Sequence, residues 1–177
     1  YALYVPAGKE KLVVQALVLN PKASVLSQLL KLDLKDFGDV IIAGLNLTLE
    51  LSAASPAIVN RLWDHEMLTN LASLVEKANV EIAGAALLTL GNLLTYNHDV
   101  REAVTATKLL EPLTKTFSND LAGFNDASPP ETVQLIKQYF YFFGGYFNMA
   151  PYPPYEAFVP YIRPFLVAFC DYDGMFG

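Results

Sequence analysis

The chain has 177 residues, of which 53% are apolar and only 17% are charged, and its formal net charge is −6. This length suits one domain with a substantial buried core, and the apolar content is too high for a disordered chain. The acidic balance, with a sequence pI of about 4.8, excludes the basic footprint that nucleic-acid-binding domains carry.

The low charge content is the first indication of function. An ordinary soluble domain carries about 25% charged residues, and large apolar patches on a surface usually mark a partner or a membrane. We therefore expect part of the surface to be buried in a larger assembly; the alternative is an unusually apolar but self-contained domain. No apolar stretch reaches the ~20 residues that cross a bilayer, so no membrane span is predicted, while assembly beside a membrane stays open.

Apolar residues recur at the i, i+3, i+4, i+7 spacing of amphipathic helices, and no hairpin signal predicts a strand. In the first half of the chain this spacing predicts helices over Lys9–Leu19, Ala23–Leu32, Asp39–Ala53 and Glu66–Lys77. A further short helix is expected to begin at Ser55-Pro56 and to end near Trp63, since serine suits the N-cap and proline the first helical position.

In the second half, helices are predicted over Val80–Thr95, Val100–Ala106, Leu109–Phe117, residues 130–148 and Tyr155–Phe169. Asn79 is the expected N-cap of the first of these. Residues 118–128 are expected to form the only long loop. At its end, Ser128 and Glu131 have the spacing of a capping box, in which each side chain bonds the backbone of the other residue.

Two pairs of segments indicate a repeat. DVIIAG at 39–44 is similar to NVEIAG at 79–84, an offset of 40, and LTNLASLV at 68–75 is similar to LEPLTKTF at 110–117, an offset of 42. Helical arrays of the ARM/HEAT type have periods of about 40–47 residues. A repeat of this kind buries its apolar face only by stacking on its neighbours.

Residues 79–117 resemble the armadillo-repeat family most closely. Thr89–Leu93 is similar to the A-L-x-N-L step of the third helix, Asn97–Val104 to N-x-x-V-R-E-A-V, and Lys108–Leu113 to G-x-L-x-x-L. The resemblance implies an all-α chain folded as a right-handed α-solenoid of about three to four armadillo-like repeats.

The whole chain, 1–177, is expected to be one such domain. Capping helices over 1–38 precede repeats over 39–78 and 79–118, and a degenerate repeat follows over 129–170. The first repeat is the weaker match, since Glu50 or Leu51 stands at the position of the motif's asparagine.

The resemblance also implies a binding surface. In the family, third helices line a concave face where a tryptophan and an asparagine hold an extended peptide. Asn92 stands at the asparagine position and Leu88 at the tryptophan position, which removes the aromatic slot. The alternative role for Asn92 is to tie adjacent repeats together through backbone hydrogen bonds.

Helical spacing extends this surface along a line. Asn46 and Glu50 project together from the first long helix, and Gln134 and Gln138 project together from the last. With Asn92 they are expected to form one polar stripe; the alternative is an ordinary solvated face.

The segment Tyr139–Phe169 is rich in Tyr and Phe and carries only Glu156 and Arg163 as charges. Aromatic residues are enriched at the centres of protein interfaces, and solenoid ends that face water carry polar caps. We therefore expect this segment to supply the main partner contact. Its candidate partner-binding residues are Tyr141, Tyr146 and Tyr155. The alternative is that the last helix and the proline-rich turn before it cover every ring.

No motif for catalysis, phosphate binding or metal binding occurs, and no cofactor or metal is expected. The expected function is a non-enzymatic scaffold or structural subunit, acting through contacts with other protein subunits. The alternatives are a free armadillo-type adaptor for an extended peptide and an enzyme with an unrecognised site.

The compartment stays open between the cytoplasm and an organelle. Cys170 is the only cysteine, which excludes an internal disulfide and a disulfide-dependent secreted domain. The chain begins at Tyr1, which fits either a removed leader or a fragment.

Overall fold

The computed structural model describes residues 24–54, 59–60, 62–125 and 127–148. Within these ranges the chain is helical and contains no strand, as the apolar spacing predicts. The helices are α1 (Ser24–Leu29), α2 (Leu34–Ala54), α3 (His65–Lys77), α4 (Val80–Tyr96), α5 (His98–Ala106), α6 (Leu110–Ala122) and α7 (Pro130–Phe147). The predicted helices Lys9–Leu19 and Tyr155–Phe169, the start at Ser55-Pro56, and Cys170 lie outside the described residues.

Side-chain caps fix the starts of the central helices. Asn79 Oδ1 accepts a hydrogen bond from the Ile82 backbone N–H at 2.9 Å, so the predicted N-cap of α4 is confirmed. Asp64 does the same for α3. Asn97 Oδ1 accepts from the Asp99 N–H at 2.8 Å, which starts α5 two residues before the predicted start. Such caps stabilise a helix by about 1 kcal/mol each.

The predicted loop at 118–128 is too long, because α6 continues to Ala122. Ser118 Oγ donates to the Thr114 carbonyl at 2.9 Å, so this polar side chain is satisfied within the helix. Leu121 packs against the core and Phe124 is buried, which gives the extra turn apolar anchors. Burial of these two side chains outweighs the polar composition of the segment.

The predicted capping box at the start of α7 is wrong. Ser128 Oγ accepts a hydrogen bond from the Asn125 backbone N–H at 2.9 Å, so it serves the preceding turn rather than the helix. The N-cap residue is Pro129, which has no capping side chain. Pro130 then occupies the first helical position, where its missing N–H leaves no unsatisfied donor.

Helix contacts run in two series. Helices α1, α3 and α6 contact one another in that order, and the longer helices α2, α4 and α7 do the same. Each of the longer helices also packs against the member of the first series that precedes it in sequence. Helix α4 therefore lies at the centre, with α2 and α7 on its two flanks and α3 and α5 as further neighbours.

Helices α2 and α4 run parallel. A Cβ atom placed on Gly38 would lie 3.7 Å from Ile82 Cδ1, near the start of both helices. Near their ends, Asn92 Nδ2 donates to Ser52 Oγ at 3.4 Å. Residue numbers therefore rise in the same direction along both helices.

The core centres on α4, which is buried on nearly every side. Leu87, Leu90, Leu93 and Leu94 on this helix are fully buried. Aromatic rings of α7 extend the core towards α6, where the Tyr139 and Phe117 ring centroids are 5.0 Å apart. The helix at the centre of the fold is thus the one that carries the segment Thr89–Leu93.

Candidate interaction surface

Over residues 80–95, only a narrow strip of α4 reaches the surface. The exposed and half-buried residues of this stretch are Glu81, Ala85, Leu88, Asn92 and Thr95, together with Val80 at the first position. Steps of four and three residues keep Glu81 to Thr95 on one side of the helix.

The predicted polar residues of the two neighbouring long helices also reach the surface. We call this surface the three-helix face. Its members are exposed (Asn46, Glu50, Gln134 and Tyr141) or half-buried (Leu88, Asn92 and Gln138). Helices α2 and α7 flank α4, so the face spans all three long helices.

Asn92 connects the three helices of this face. Its Oδ1 accepts a hydrogen bond from the Tyr141 hydroxyl at 2.9 Å, and its Nδ2 donates to Ser52 Oγ at 3.4 Å. Asn92 thus ties neighbouring long helices together, with side chains rather than backbone groups as partners. One amide N–H and one lone pair of the carbonyl oxygen remain for another ligand.

Tyr141 sits in a gap left by a glycine of α4. A Cβ atom on Gly91 would lie 2.6 Å from two ring carbons of Tyr141, closer than two carbon atoms can approach. The ring is nevertheless 43% exposed, so one side of it contacts α4 while the other faces solvent. Nothing in the sequence pattern predicts that the Tyr141 ring packs against Gly91.

Gln138 occupies a second gap of the same kind. A Cβ atom on Gly84, two turns before Gly91, would collide with the amide oxygen of Gln138. Gly84 faces Gln138 and Gly91 faces Tyr141. Residue numbers therefore rise in the same direction along both helices, so α4 and α7 also run parallel. The glycines at 84 and 91 therefore allow the close packing that brings Gln138 and Tyr141 onto the three-helix face.

Tyr146 does not lie on this surface. Its side chain is 0% exposed, and its hydroxyl lies 2.5 Å from Thr105 Oγ1. The Thr105 hydroxyl donates its proton to the Arg101 carbonyl, so Tyr146 is the donor in this pair. The structure thus places a predicted partner-binding residue in the interior, where it links α7 to α5. Tyr155 lies outside the described residues.

Most of the described rings of the aromatic segment are also part of the core. Tyr139, Phe142 and Phe143 are no more than 1% exposed, and Phe140 and Phe147 pack partly against them. Between residues 139 and 147 only Tyr141 is an exposed aromatic residue. Within this stretch, packing among α4, α6 and α7 explains the aromatic density that suggested an interface.

Burial perturbs one acidic group beside this cluster. The Tyr139 hydroxyl donates to Asp120 Oδ2 at 2.9 Å. Partial burial raises the pKa of the Asp120 carboxyl above its usual value, although the hydrogen bond from Tyr139 lowers it. Desolvation and the neighbouring Asp120 charge raise the pKa of Tyr139, so its hydroxyl stays protonated and remains a donor.

This pair gives a pH-dependent prediction. A carboxyl whose pKa is higher in the folded than in the unfolded state stays protonated up to a higher pH when the protein is folded. The stability that this carboxyl contributes is therefore lost as the pH rises through its folded-state pKa. Asp120→Asn, whose amide oxygen still accepts from Tyr139, is therefore expected to gain in stability relative to the wild type between about pH 4 and pH 7. Urea unfolding of both proteins across this range measures the difference. A relative stability of the variant that falls with increasing pH would contradict the assignment.

One group of residues has the spacing of metal ligands. The donor atoms of His98, Asp99 and Glu102 lie within 4.8 Å of one another. However, the Arg101 guanidinium, which can only donate, lies 2.8 Å from His98 Nε2. His98 Nε2 must then accept, and Nδ1, which faces Glu102 at 3.5 Å, carries the proton. In this arrangement both ring nitrogens of His98 thus have protein side chains as partners.

A groove of about 300 Å³ lies between α3 and the turn after α1, lined in part by Lys31, Asn70, Ser73 and Lys77. Lys31 is paired with Glu66, and Asn70 donates to Ser27. The lining residues of this groove include no histidine or carboxylate, so they lack a general base of either type for acid–base chemistry.

None of the helices in the described ranges combines the length and the apolar character that a membrane span requires. No family model, curated protein or solved structure matches the chain.

Proposed function

We propose that the chain is a non-enzymatic helical-repeat scaffold, a structural subunit that acts through protein–protein contacts in a larger assembly. The observation that carries this proposal is the three-helix face. It presents polar and apolar side chains from three parallel helices. Its hydrogen bonds, from Tyr141 to Asn92 and from Asn92 to Ser52, join these helices to one another. Such a surface suits recognition of another protein.

An armadillo-like stack of about three to four repeats is the architecture that we propose for this scaffold. It is supported by the two series of helix contacts and by side-chain hydrogen bonds between residues about one repeat apart. These bonds join Asn70 to Ser27, 43 residues apart, Asn92 to Ser52, 40 apart, and Asn97 to Asn60, 37 apart. In a solenoid each repeat contacts only its neighbours, which would produce this spacing.

The test compares the chain with variants of the three-helix face. Asn46→Arg combined with Gln134→Arg places two bulky charges on exposed positions of the face. Thr69→Arg combined with Asn119→Arg, at exposed positions of the first helix series, is the matched control with the same change in charge. Tagged forms expressed in the native cells are separated by size exclusion with light scattering. We expect the wild type and the control to elute in a stoichiometric complex and the face variant to elute alone while still folded. A wild-type chain that elutes as a monomer would refute the scaffold.

The second candidate is a free adaptor that binds an extended peptide along the same face. The unused N–H and lone pair of Asn92 favour it, because a peptide backbone offers both an acceptor and a donor. Leu88 weighs against it, since it stands in place of the aromatic residue. The purified chain, screened against a displayed peptide library, distinguishes the two. An adaptor gives a peptide whose binding is lost in Asn92→Ala, while a scaffold enriches none.

A further inference from the structure

A second surface, which shares Glu50 with the three-helix face, lies on the side of α2 that neither α1 nor α4 covers. Phe37 and Val40 are 45% and 42% exposed, and besides Tyr141 they are the only large apolar side chains exposed to this degree among the described residues. Ala43 is also exposed, and Leu47 is half-buried. Their spacing of three to four residues places Val40, Ala43 and Leu47 in one strip.

The packing of α2 explains why this strip stays open. Two other parts of the helix surface are occupied: Gly38 faces Ile82 of α4 on the opposite side, and Gly44, one turn after Val40, faces Leu29 of α1 at the edge of the strip. Phe37 departs from helical geometry, with φ −129° and ψ 23°, so it does not follow the direction of the other side chains of the helix. The strip is thus the free flank of the outermost long helix in the described series.

Acidic residues border the strip. Asp36, Asp39 and Glu50 are exposed, and the ion pairs among the described residues involve other groups. Asp36 also interacts favourably with the N-terminus of α2. Asp39 lies in the first turn after the break at Phe37, where the N-terminal end of a helix also favours an acidic side chain. Glu50 lies near the C-terminal end of α2, so the helix dipole does not account for it. Lys35 is the one exposed base on this stretch of α2.

We propose that this α2 strip binds a basic amphipathic helix of a partner protein. The apolar side chains would pack against the apolar side of that helix, and its Lys or Arg residues would lie opposite Asp36, Asp39 and Glu50. Residues 36–50 extend for about 20 Å at 1.5 Å per residue, which matches about four turns of a partner helix. The proposal rests on the proposed function, in which the chain works through protein contacts.

Charge decides between this partner and two other occupants. A second copy of the chain would bring the same three carboxylates against their own equivalents, and like charges in contact oppose association. An anionic membrane surface attracts basic segments and would repel this one. A basic helix is the occupant whose charge and apolar character both complement the strip.

The experiment uses fluorescent synthetic peptides of about 14 residues, which cover the strip at 1.5 Å per residue. One peptide repeats Leu and Lys at helical spacing, and the other has Glu in place of every Lys. Fluorescence anisotropy measures their affinity for the full chain. We expect the Leu–Lys peptide to bind and the Leu–Glu peptide not to bind. Amide hydrogen exchange should show protection by the peptide over residues 34–47.

Two double variants test the strip, and a third controls for net charge. Phe37→Ser with Val40→Ser and Asp36→Asn with Asp39→Asn are each expected to weaken binding about tenfold, a change of about 1.4 kcal/mol. Glu76→Gln with Glu111→Gln removes the same charge from exposed positions elsewhere and should leave affinity within about twofold.

Equal weakening by the control would mean non-specific attraction to an acidic protein and would overturn the proposal. Absence of binding, protection only on α7, a dimer of the free chain that Phe37→Ser with Val40→Ser abolishes, or binding to vesicles with anionic lipid would overturn it as well. None of these results would affect the co-elution that tests the scaffold, so the two proposals fail separately.

Discussion

Replacing Leu90 with alanine is expected to lower the free energy of unfolding by about 2–5 kcal/mol. Leu90 is 0% exposed and belongs to α4, which packs against four other helices. Neighbours on several sides leave little freedom for the site to collapse into the space of the missing side chain, so most of the cavity would persist. Urea unfolding followed by circular dichroism measures the change.

Leu88→Ala is the matched control for this prediction. It removes the same atoms from the same helix, but Leu88 is half-buried on the three-helix face, where solvent fills the space. We expect this variant to lose markedly less stability than Leu90→Ala. Equal losses, or an unchanged unfolding midpoint in Leu90→Ala, would show that α4 is not at the centre of the core.

The sequence predicts the elements of this fold better than their ends. Asn79 marks the start of α4 because a single side chain satisfies the exposed N–H groups there, and that signal is local. The end of α6 is not local: Leu121 and Phe124 extend the helix because other helices cover them. The capping box at Ser128 fails for a local reason: the Ser128 hydroxyl oxygen accepts from the Asn125 N–H of the preceding turn instead of from the first turn of α7.

The sequence also predicts which helices carry the candidate surface, but not how its residues pair. Asn46, Glu50 and Gln134 are exposed as their helical spacing indicates. In α7, however, aromatic residues occur on all sides, so no polar stripe distinguishes the exposed Tyr141 from the buried Tyr146. Only the position of α4 against α7 separates them, and that position depends on contacts about 50 residues apart in the chain.

Gly91→Ala and Gly144→Ala are expected to change stability in opposite directions. Alanine favours a helix over glycine by about 1 kcal/mol, and nothing lies within 4 Å of a Cβ atom on Gly144, so that variant should gain about this amount. On Gly91 the new carbon would collide with the Tyr141 ring. Displacing the ring and its hydrogen bond to Asn92 should cost about 2 kcal/mol, a net loss of about 1 kcal/mol.

A double-mutant cycle identifies the Tyr141 ring as the cause. In a Tyr141→Ala background the collision is absent, so Gly91→Ala should become stabilising by about 1 kcal/mol, while Gly144→Ala should behave as it does in the wild type. The coupling energy between positions 91 and 141 is then about 2 kcal/mol. Urea unfolding of the single and double variants supplies it. A Gly91→Ala variant that is equally destabilising with and without Tyr141 would mean that the ring does not occupy the gap over Gly91, and the three-helix face would lose its described arrangement around Asn92.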